Sequence, residues 1–200
     1  MYLGKIIIII FKGINFFLSY YFTFFLRMRG CSIGLRLIVK GLPVVDISHG
    51  AALKIGNNVL LNSQNLDYHV NMFAPVKLFA DRSGATIKIG NNTRIHGSCI
   101  HAYELIEIGE NCLIAANCQI FDGNGHDLSF DSPENRIKTK GLSKPIRIGD
   151  NVWLGTGVII LPGVTIGSGS VIAAGSVVRN SIPAMVVAAG NPAIIIKDYK

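Results

Sequence analysis

The histidine at position 126 is the side chain best suited to move a proton at neutral pH. It lies in the segment FDGNGHD, at the start of a stretch rich in Gly, Pro, Asp and Lys. An imidazole has a pKa near neutrality, so it can take a proton from a hydroxyl and return it to a leaving group. Asp122 and Asp127 flank His126, either as orienting groups or as ordinary solvated loop acids. A solvated histidine without a chemical role is the alternative.

A second arrangement of histidines has the spacing of metal ligands. His96 and His101 form an H-x4-H pair, and His126 supplies a third imidazole. This arrangement leaves a metal-dependent reaction open. Apart from this metal alternative, His101 is interpreted, together with His49 and His69, as a structural or surface group.

The cysteines do not indicate a disulfide scaffold or a covalent mechanism. They form no CxxC pair and are too few for a disulfide-dense secreted protein of this length, so we expect reduced, buried thiols. None has an evident activating partner, so no acyl-enzyme is expected. The four are Cys31, Cys99, Cys112 and Cys118.

These side chains must be positioned by a chain whose dominant pattern is a six-residue period. A helix would need a period of 3.6 residues and a single strand a period of 2. Each hexad predicts a short strand and a corner. Three hexads close one triangular coil of about 18 residues, and stacked coils bury a continuous core. The longest unbroken run of inward aliphatic residues is Ile148, Leu154, Ile160, Ile166, Ile172 and Val178, and small or branched residues follow four positions after most hexad aliphatics, as at Cys112, Cys118, Val152 and Val158.

Five similar corner segments allow the coils to be counted. They are IGNN, IGNN, IGEN, IGDN and IGSG, beginning at residues 55, 89, 108, 148 and 166. Steps of 18 or 19 residues are single coils, and the step of 34 is interpreted as two imperfect coils. The step of 40 predicts one coil interrupted by a loop over about 122–147. Long loops that leave a compact repeat are usually functional.

The charge of the chain is concentrated at its N-terminal end. The formal net charge is +7, and residues 1–45 contribute six basic side chains and no acidic one. The near-neutral remainder does not predict nucleic-acid binding, whereas a basic, apolar end predicts contact with a membrane surface. A charged fraction of 16% and a hydrophobic fraction of 50% exclude a disordered chain and predict one domain with a substantial core.

Residues 6–26 are almost wholly apolar, so residues 1–30 are predicted to form a hydrophobic helix. A signal peptide is disfavoured because no small-residue cleavage site follows. A membrane-spanning helix is weakened by Lys12 and Asn15 inside the run. The polar residues form one narrow stripe, which favours a helix lying in a membrane interface or packing on its copies in an oligomer. Packing on its own domain is the rival interpretation. The stripe consists of Lys5, Lys12, Asn15, Ser19, Thr23 and Arg27.

The segment IGDNVWLGTGVIILPGVTIGSGSVIAAGSVV at 148–178, followed by IPAMVVAAGNPA at 182–193, resembles the hexapeptide-repeat acyltransferases. The resemblance extends over about 31–197. It is nearest to the O-acetyltransferases of maltose, galactosides, xenobiotics and capsule or O-antigen polysaccharides. It implies an all-β fold: a left-handed parallel β-helix over 31–182 with one long extruded loop, and a short C-terminal segment over 183–200. The hand comes from the resemblance alone, since the general connection rule favours the other hand.

The resemblance also implies roles for residues near the acceptor. The family's catalytic histidine follows a hexad of the IAxNxxI type, here residues 114–120, which makes His126 the general base. Trp153 stands where the family often has an aromatic residue near the acceptor, and an exposed indole can stack on a sugar ring. Packing of Trp153 against a neighbouring subunit is its alternative. Acceptor contacts are assigned to His96, which replaces the family's asparagine, and to Asn117 and Asp122.

For the acyl donor the resemblance implies acetyl-CoA, with its pantetheine arm between C-terminal coils. Small residues there would let the backbone approach the thin arm, and basic side chains would meet the phosphates. The family usually forms homotrimers with active sites shared between subunits, and no metal is expected. The donor residues assigned are Gly155, Thr156, Ala173, Ala174, Arg179, Asn191, Pro192 and Lys197.

Several functions are consistent with these observations. The first is an acetyl-CoA-dependent O-acetyltransferase that acts by direct attack on a surface polysaccharide, or its precursor, at the inner face of the bacterial cytoplasmic membrane. A cytosolic small-sugar or antibiotic O-acetyltransferase is the alternative. A metalloenzyme resembling the β-helical carbonic anhydrases would use His96, His101 and His126, although the ligand order is reversed. The last possible function is that of a non-catalytic, membrane-associated scaffold. Nucleic acid is not expected as a partner.

Overall fold

The computed structural model of the chain describes residues 2–199, with the side chains of residues 2–9 and 12 outside the description. After one N-terminal helix, α1 (Tyr2–Met28), the chain is almost entirely short β-strands. Consecutive strands pass from sheet A to sheet B to sheet C, so the three sheets form the faces of a triangular prism. The predicted all-β parallel architecture is confirmed, and the hand of the coil stays a prediction.

Sheets A and C each contain one strand from each of six coils. Neighbouring strands pair in parallel, with residues of one coil in register with residues of the next. Sheet A contains β1 (Ser32–Ile33), β4 (Ala52–Ile55), β7 (Thr86–Ile89), β10 (Leu105–Ile108), β13 (Ile146–Ile148) and β16 (Thr165–Ile166). Sheet C contains β3 (Val44–Ile47), β6 (Lys77–Ala80), β9 (Cys99–Ala102), β12 (Gln119–Phe121), β15 (Ile159–Ile160) and β18 (Val177–Val178).

Sheet B is longer because the C-terminal segment adds two strands to it. The strand β19 pairs in parallel with β17, and β20 folds back antiparallel on β19. The antiparallel strand therefore closes the C-terminal end of this sheet. Sheet B contains β2 (Ile38–Lys40), β5 (Leu60–Asn62), β8 (Arg94–His96), β11 (Leu113–Ile114), β14 (Trp153–Leu154), β17 (Val171–Ile172), β19 (Val186–Gly190) and β20 (Ala193–Asp198).

The core is a column of the hexad residues. Every aliphatic side chain of the run from Ile148 to Val178 is buried, and so are the small residues four positions after them. Inward residues of successive coils stack directly, as Ile108 does on Ile148. At the corners, asparagines adopt the left-handed backbone conformation that the turn requires, with φ near 57°. These are Asn58, Asn92, Asn111 and Asn151.

The coils are interrupted twice, not once. The predicted loop leaves between β12 and β13 and occupies residues 122–145, including a 3-10 helix at Pro133–Lys138. A second excursion over residues 63–76 leaves between β5 and β6. The interpretation of the 34-residue step as two imperfect coils is therefore wrong: it is one coil plus this insertion. We name the two excursions the short loop (63–76) and the long loop (122–145).

The polar stripe of α1 faces the β-helix and not the surroundings. The first coil has an open sheet edge, and open edges need hydrogen-bond partners. Ser19 Oγ accepts the Val39 N–H at 2.8 Å, and Asn15 Oδ1 accepts the Gly41 N–H at 3.2 Å. Arg27 donates to backbone carbonyls of the same coil. The rival interpretation, packing on the chain's own domain, is observed for Asn15, Ser19 and Arg27. Contact of the helix with a membrane stays a prediction, and the side chains of Lys5 and Lys12 lie outside the described residues.

The opposite side of α1 is a large exposed apolar face. Phe22 and Leu26 are buried beside the stripe, but ten large apolar side chains of the helix remain exposed. Among the described residues, no helical segment combines the length and the hydropathy needed to span a bilayer. The exposed residues, which we call the aromatic face, are Ile10, Phe11, Ile14, Phe16, Phe17, Tyr20, Tyr21, Phe24, Phe25 and Met28.

Candidate active site

The long loop begins as a backbone-paired stem that carries His126 at its outer end. The two arms, 122–127 and 139–144, run antiparallel and exchange hydrogen bonds. A Cβ on Gly141 would lie 2.9 Å from the backbone nitrogen of His126, so the arms close this tightly only because residue 141 is glycine. The stem bonds run from Lys144 N to Asp122 O, from Asn124 N to Leu142 O, from Gly141 N to Gly125 O and from Asp127 N to Thr139 Oγ1.

His126 itself is exposed at the end of this stem. Its imidazole makes no hydrogen bond to any residue among 2–199 that the structure describes. Asp127 does not orient the ring, because its carboxylate accepts the Ser129 N–H at 2.8 Å. The geometry therefore presents His126 outward on a rigid base, and its role as general base stays a prediction.

Asp122 anchors the base of the stem. The carboxylate is fully buried and accepts three backbone N–H groups, at 2.6 Å from Tyr103, 2.9 Å from Glu104 and 2.7 Å from Leu105. These bonds fix the corner between β9 and β10 to the start of the loop. In this structure Asp122 is a positioning residue, and the acceptor contact assigned to it stays a prediction.

A stack of aromatic rings supports the stem on sheet C. The ring of His101 stacks on Phe79 at 4.5 Å and contacts Tyr103 at the same centroid distance. The Arg82 guanidinium lies 4.0 Å from the Tyr103 ring centre. Gly123 packs on that ring so closely that a Cβ would clash with it. The sequence interpretation of His101 as a structural group agrees with this packing.

Most residues assigned to the donor and acceptor lie along one edge of the prism, between sheets B and C. At this edge, which we call the B–C edge, the corners of successive coils stack through their backbones: Gly157 N donates to Ala116 O at 2.9 Å, and Gly175 N donates to Thr156 O at 2.8 Å. A Cβ on Gly155 would lie 2.6 Å from Ala174 N, so this corner depends on glycine for its close stacking. The structure brings together here His96, Asn117, Gly155, Thr156, Ala173, Ala174, Asn191 and Pro192.

The other assigned residues lie elsewhere. Trp153 is half-exposed on sheet B, in an outward column with Leu113 and Val171. Lys197 is on β20 of the same sheet, with its ammonium 4.6 Å from the Tyr199 ring centre. Arg179 follows β18 and is exposed at the edge between sheets C and A.

His96 is held neutral in a polar and aromatic pocket. The Asn62 amide oxygen accepts the Gln64 N–H, so its Nδ2 faces His96 Nδ1 at 3.2 Å. Nδ1 is therefore the acceptor, and Nε2 carries the proton. Burial, reinforced by the charges of Arg94 and Lys40, lowers the pKa of His96 to about 4. A neutral imidazole with a donor at Nε2 is suited to bind a hydroxyl oxygen.

Sequence reasoning missed the short loop as part of this site. Its Tyr68 ring stacks on His96 at 4.3 Å. Asn117 holds the loop, since its side chain accepts the Phe73 N–H and donates to the Asn71 carbonyl, both at 2.9 Å. The 34-residue step between IGNN segments was the available signal. The assigned role of Asn117 as an acceptor ligand stays a prediction.

Within one chain the predicted base and the B–C edge are on different sides of the prism. The stem of the long loop leaves between β12 of sheet C and β13 of sheet A, so it rises from the C–A edge. Apart from Arg179 and Asp122, which are also at the C–A edge, the residues assigned to acetyl-CoA and the acceptor lie on the B–C edge and on sheet B. His126 and most of the assigned donor and acceptor residues are therefore not brought together within one chain.

The metal and thiol alternatives have little geometric basis. His96 lies on sheet B and His101 on sheet C, and no group of three or more His, Cys, Asp or Glu residues with ligand geometry occurs in the part of the chain that the structure describes. Burial raises the pKa of the Cys118 thiol to about 11, and burial also raises the pKa of Cys112. Both thiols are therefore protonated at neutral pH and unsuited to nucleophilic attack.

Comparison with known proteins agrees with this fold. Two family models match, "Bacterial transferase hexapeptide (six repeats)" over residues 145–180 and "Hexapeptide repeat of succinyl-transferase" over residues 86–122. The Escherichia coli K12 protein WbbJ, provisionally named a lipopolysaccharide biosynthesis O-acetyl transferase, is 37% identical over 145 residues, covering 69% of this chain and 74% of WbbJ. The chain belongs to the hexapeptide-repeat acyltransferase family. The family resemblance of residues 148–193 is thereby confirmed.

Solved structures of other hexapeptide-repeat acyltransferases are similar over part of the chain. A galactoside acetyltransferase in complex with coenzyme A is 43% identical over 57% of this chain and 56% of that chain, with a TM-score of 0.52. The polySia-specific acetyltransferase NeuO is 27% identical over 84% of this chain and 81% of that chain, with a TM-score of 0.56. For three further curated relatives, the match spans about half of the relative's length, between 47% and 57%.

Proposed function

We propose that this hexapeptide-repeat acyltransferase is an acetyl-CoA-dependent O-acetyltransferase that modifies a sugar hydroxyl of a surface polysaccharide or its precursor. The observation that carries the proposal is the B–C edge. There, small residues of successive coils form a narrow, backbone-lined surface, in a chain 43% identical over its matched part to a galactoside acetyltransferase solved with coenzyme A. The names of WbbJ and NeuO, which refer to lipopolysaccharide and to polySia, support a polysaccharide acceptor.

In this proposal His126 acts as the general base. The imidazole takes the proton of the acceptor hydroxyl while the hydroxyl oxygen attacks the thioester carbonyl of acetyl-CoA. His126 then returns that proton to the departing coenzyme A thiolate, so no covalent acyl-enzyme forms. The backbone stem and the buried Asp122 carboxylate hold the base in place. His96 Nε2–H and the Trp153 ring are assigned to bind the sugar.

The proposal includes a homotrimer in which each site is built by two chains. The C–A edge of one chain, with His126, would meet the B–C edge of its neighbour, with Gly155, Thr156, Ala173 and Ala174. The separation of the two edges within one chain supports this arrangement. Arg179 and Lys197 are assigned to the phosphates of coenzyme A. Asn191 and Pro192 are assigned to its pantetheine arm.

The aromatic face of α1 supports a peripheral position on the inner face of the cytoplasmic membrane. Ten large apolar side chains are exposed on one helix, and large contiguous apolar patches mark sites of contact with proteins or membranes. The basic residues that follow, Arg29 and Arg36, would lie near anionic headgroups.

Calorimetric titration of acetyl-CoA into the full chain tests the donor part of the proposal. We expect saturable binding near one site per chain. Ala174→Glu should weaken binding roughly tenfold or more, because it places a carboxylate beside an anionic donor. The matched change Ala184→Glu, one corner away between sheets A and B, should not. Absence of binding by folded protein would exclude the transferase reaction.

Mixed oligomers test the shared site. His126→Ala and Ala174→Glu are each expected to be inactive when assembled alone. Co-expressed chains should regain part of the activity, since some interfaces combine an intact His126 with an intact B–C edge. Activity that stays at the level of the separate variants, with mixed oligomers shown to be present, would contradict a site built by two chains.

A further inference from the structure

A groove between α1 and the first coil is unaccounted for by the chemistry above. It has a volume of about 750 Å³, within the range of about 300–1,000 Å³ for small-molecule sites. Phe16, Tyr20 and Phe24 of α1 form one wall, and Leu35 and Ile38 of the first coil form the other. All five are exposed, so the groove offers a long apolar contact surface. Its walls fit an aliphatic chain.

Cations line the same groove, and no acidic residue does. Arg27, Arg36 and Lys40 are among the lining residues. Arg27 is occupied with the carbonyls of Ile33 and Gly34. Arg36 and Lys40 make no ion pair with any residue that the structure describes, so their charge is uncompensated. Apolar walls with uncompensated cations match a molecule that joins an aliphatic chain to a phosphate.

The groove is continuous with the candidate acceptor site along sheet B. Lys40 is in register with Asn62, and Asn62 is in register with His96. Two strand spacings separate Lys40 from His96, about 10 Å. A phosphate held at Lys40 would therefore direct whatever it carries along sheet B toward His96 and Tyr68.

We propose that this groove binds the lipid end of the acceptor, a prenyl- or alkyl-linked phosphate whose sugar extends along sheet B to His96. The inference rests on the proposed function, because it assumes that the sugar attached to this phosphate is the sugar that the enzyme acetylates. It narrows the acceptor from a polysaccharide or its precursor to a lipid-linked, phosphate-bearing saccharide. Phe16, Tyr20 and Phe24 of the aromatic face line the groove, and the rest of that face would lie at the bilayer from which such a lipid is drawn.

Binding of farnesyl phosphate to the full chain, measured by calorimetry below its micelle concentration, tests the inference. We expect saturable binding that the double variant Arg36→Ala/Lys40→Ala weakens about tenfold or more, because bonds to charged groups are lost. The matched control Lys54→Ala/Lys88→Ala removes two charges from neighbouring strands of sheet A and should leave binding unchanged. Farnesol, which lacks the phosphate, should bind more weakly than farnesyl phosphate. Leu35→Gln should weaken both ligands.

Three results would overturn the inference. They are no saturable binding, equal binding of farnesol and farnesyl phosphate, or a change of oligomeric mass in the groove variants, which would show that a second copy covers the groove. Acetyl-CoA binding, measured on the same samples, separates this inference from the proposed function. If the chain binds acetyl-CoA but not farnesyl phosphate, only the lipid-linked acceptor is contradicted. If the chain does not bind acetyl-CoA, the proposed transferase function is contradicted.

Discussion

The short loop is fastened to the coils by side chains, whereas the long loop is fastened mainly by its own backbone. Asn117 fastens the short loop to the neighbouring coil through Phe73 and Asn71, whereas Asn65 and Ser63 accept the N–H groups of Met72 and Val76 within the loop itself. In the long loop the two arms pair with each other, and one buried carboxylate, Asp122, ties them to the core. The first arrangement presses a loop onto the surface of the prism. The second projects a side chain away from it.

This difference matches the chemistry proposed for the two loops. A residue that binds an acceptor gains from being packed, as His96 is under Tyr68. A general base that serves a neighbouring chain must extend outward, as His126 does. The comparison can be tested by substitutions that act on one loop and spare the other.

The largest effect is expected at the loop histidines. His126→Ala should lower kcat about a hundredfold or more, since a general base contributes at least that much, with acetyl-CoA affinity unchanged. His69→Ala in the short loop is the matched control, because His69 is also exposed, and it should change kcat little. The measurement is release of free coenzyme A thiol with a sugar acceptor. Retention of more than about a tenth of kcat by His126→Ala would remove it as the base.

A large loss of stability is expected when the anchor of the long loop is removed. Asp122→Ala leaves three buried N–H groups without their acceptor and should lower the free energy of unfolding by about 3 kcal/mol. The effect is measured by urea denaturation. Asp127→Ala, in the same loop, removes only an exposed carboxylate and serves as the control. An Asp122→Ala protein as stable as the parent would contradict the anchoring role.

A smaller effect is expected when the short loop is released. Asn117→Gly removes both side-chain hydrogen bonds to the short loop. Glycine adopts the φ of 64° at this position without strain, so the corner itself is preserved. We expect about 1 kcal/mol lower stability and faster amide hydrogen exchange confined to 65–74. Exchange in the long loop should stay at its parental rate. Equal acceleration in both loops would mean that they are not held independently.

The last effect concerns pH. The pKa of His96 is about 4 in the fold against 6.5 in the unfolded chain, so the unfolded chain binds more protons between these values. The contribution of neutral His96 to stability is therefore complete above about pH 6.5 and is lost as the pH falls toward 4. The melting temperature of the parent should fall more between pH 7 and pH 4.5 than that of His96→Gln. Equal falls would show that His96 titrates normally.

The sequence predicted the coils well because the fold repeats. Each inward hexad residue, such as Leu154 or Ile160, occupies the same buried environment in its coil. The six-residue period alone therefore predicts where strands, corners and core residues lie. The long loop was visible because its composition departs from the hexads. The short loop was not visible, because its two asparagines and one serine resemble corner residues and because its length, added to one coil, is close to that of two coils.

The site was predicted less completely, for reasons that are three-dimensional. Asp122 lies four residues from His126, and nothing in that spacing shows that its carboxylate points into the core. The stripe of α1 was recognised as polar, but its direction depends on Val39 and Gly41, whose N–H groups need acceptors at the sheet edge. Such pairings join residues distant in sequence, and no local pattern records them.

The way α1 closes the first coil has a consequence for how the chain is made. Ser19 precedes its partner Val39 by 20 residues, and Asn15 precedes Gly41 by 26. At about 5–20 residues per second, synthesis supplies those partners within a few seconds of the helix. The N-terminal end can then be sealed while later coils do not yet exist, so each new coil is added to a stack with one growing end. A nascent chain ordered in this way exposes its open sheet edges mainly at the growing end, which limits wrong pairing with neighbouring chains.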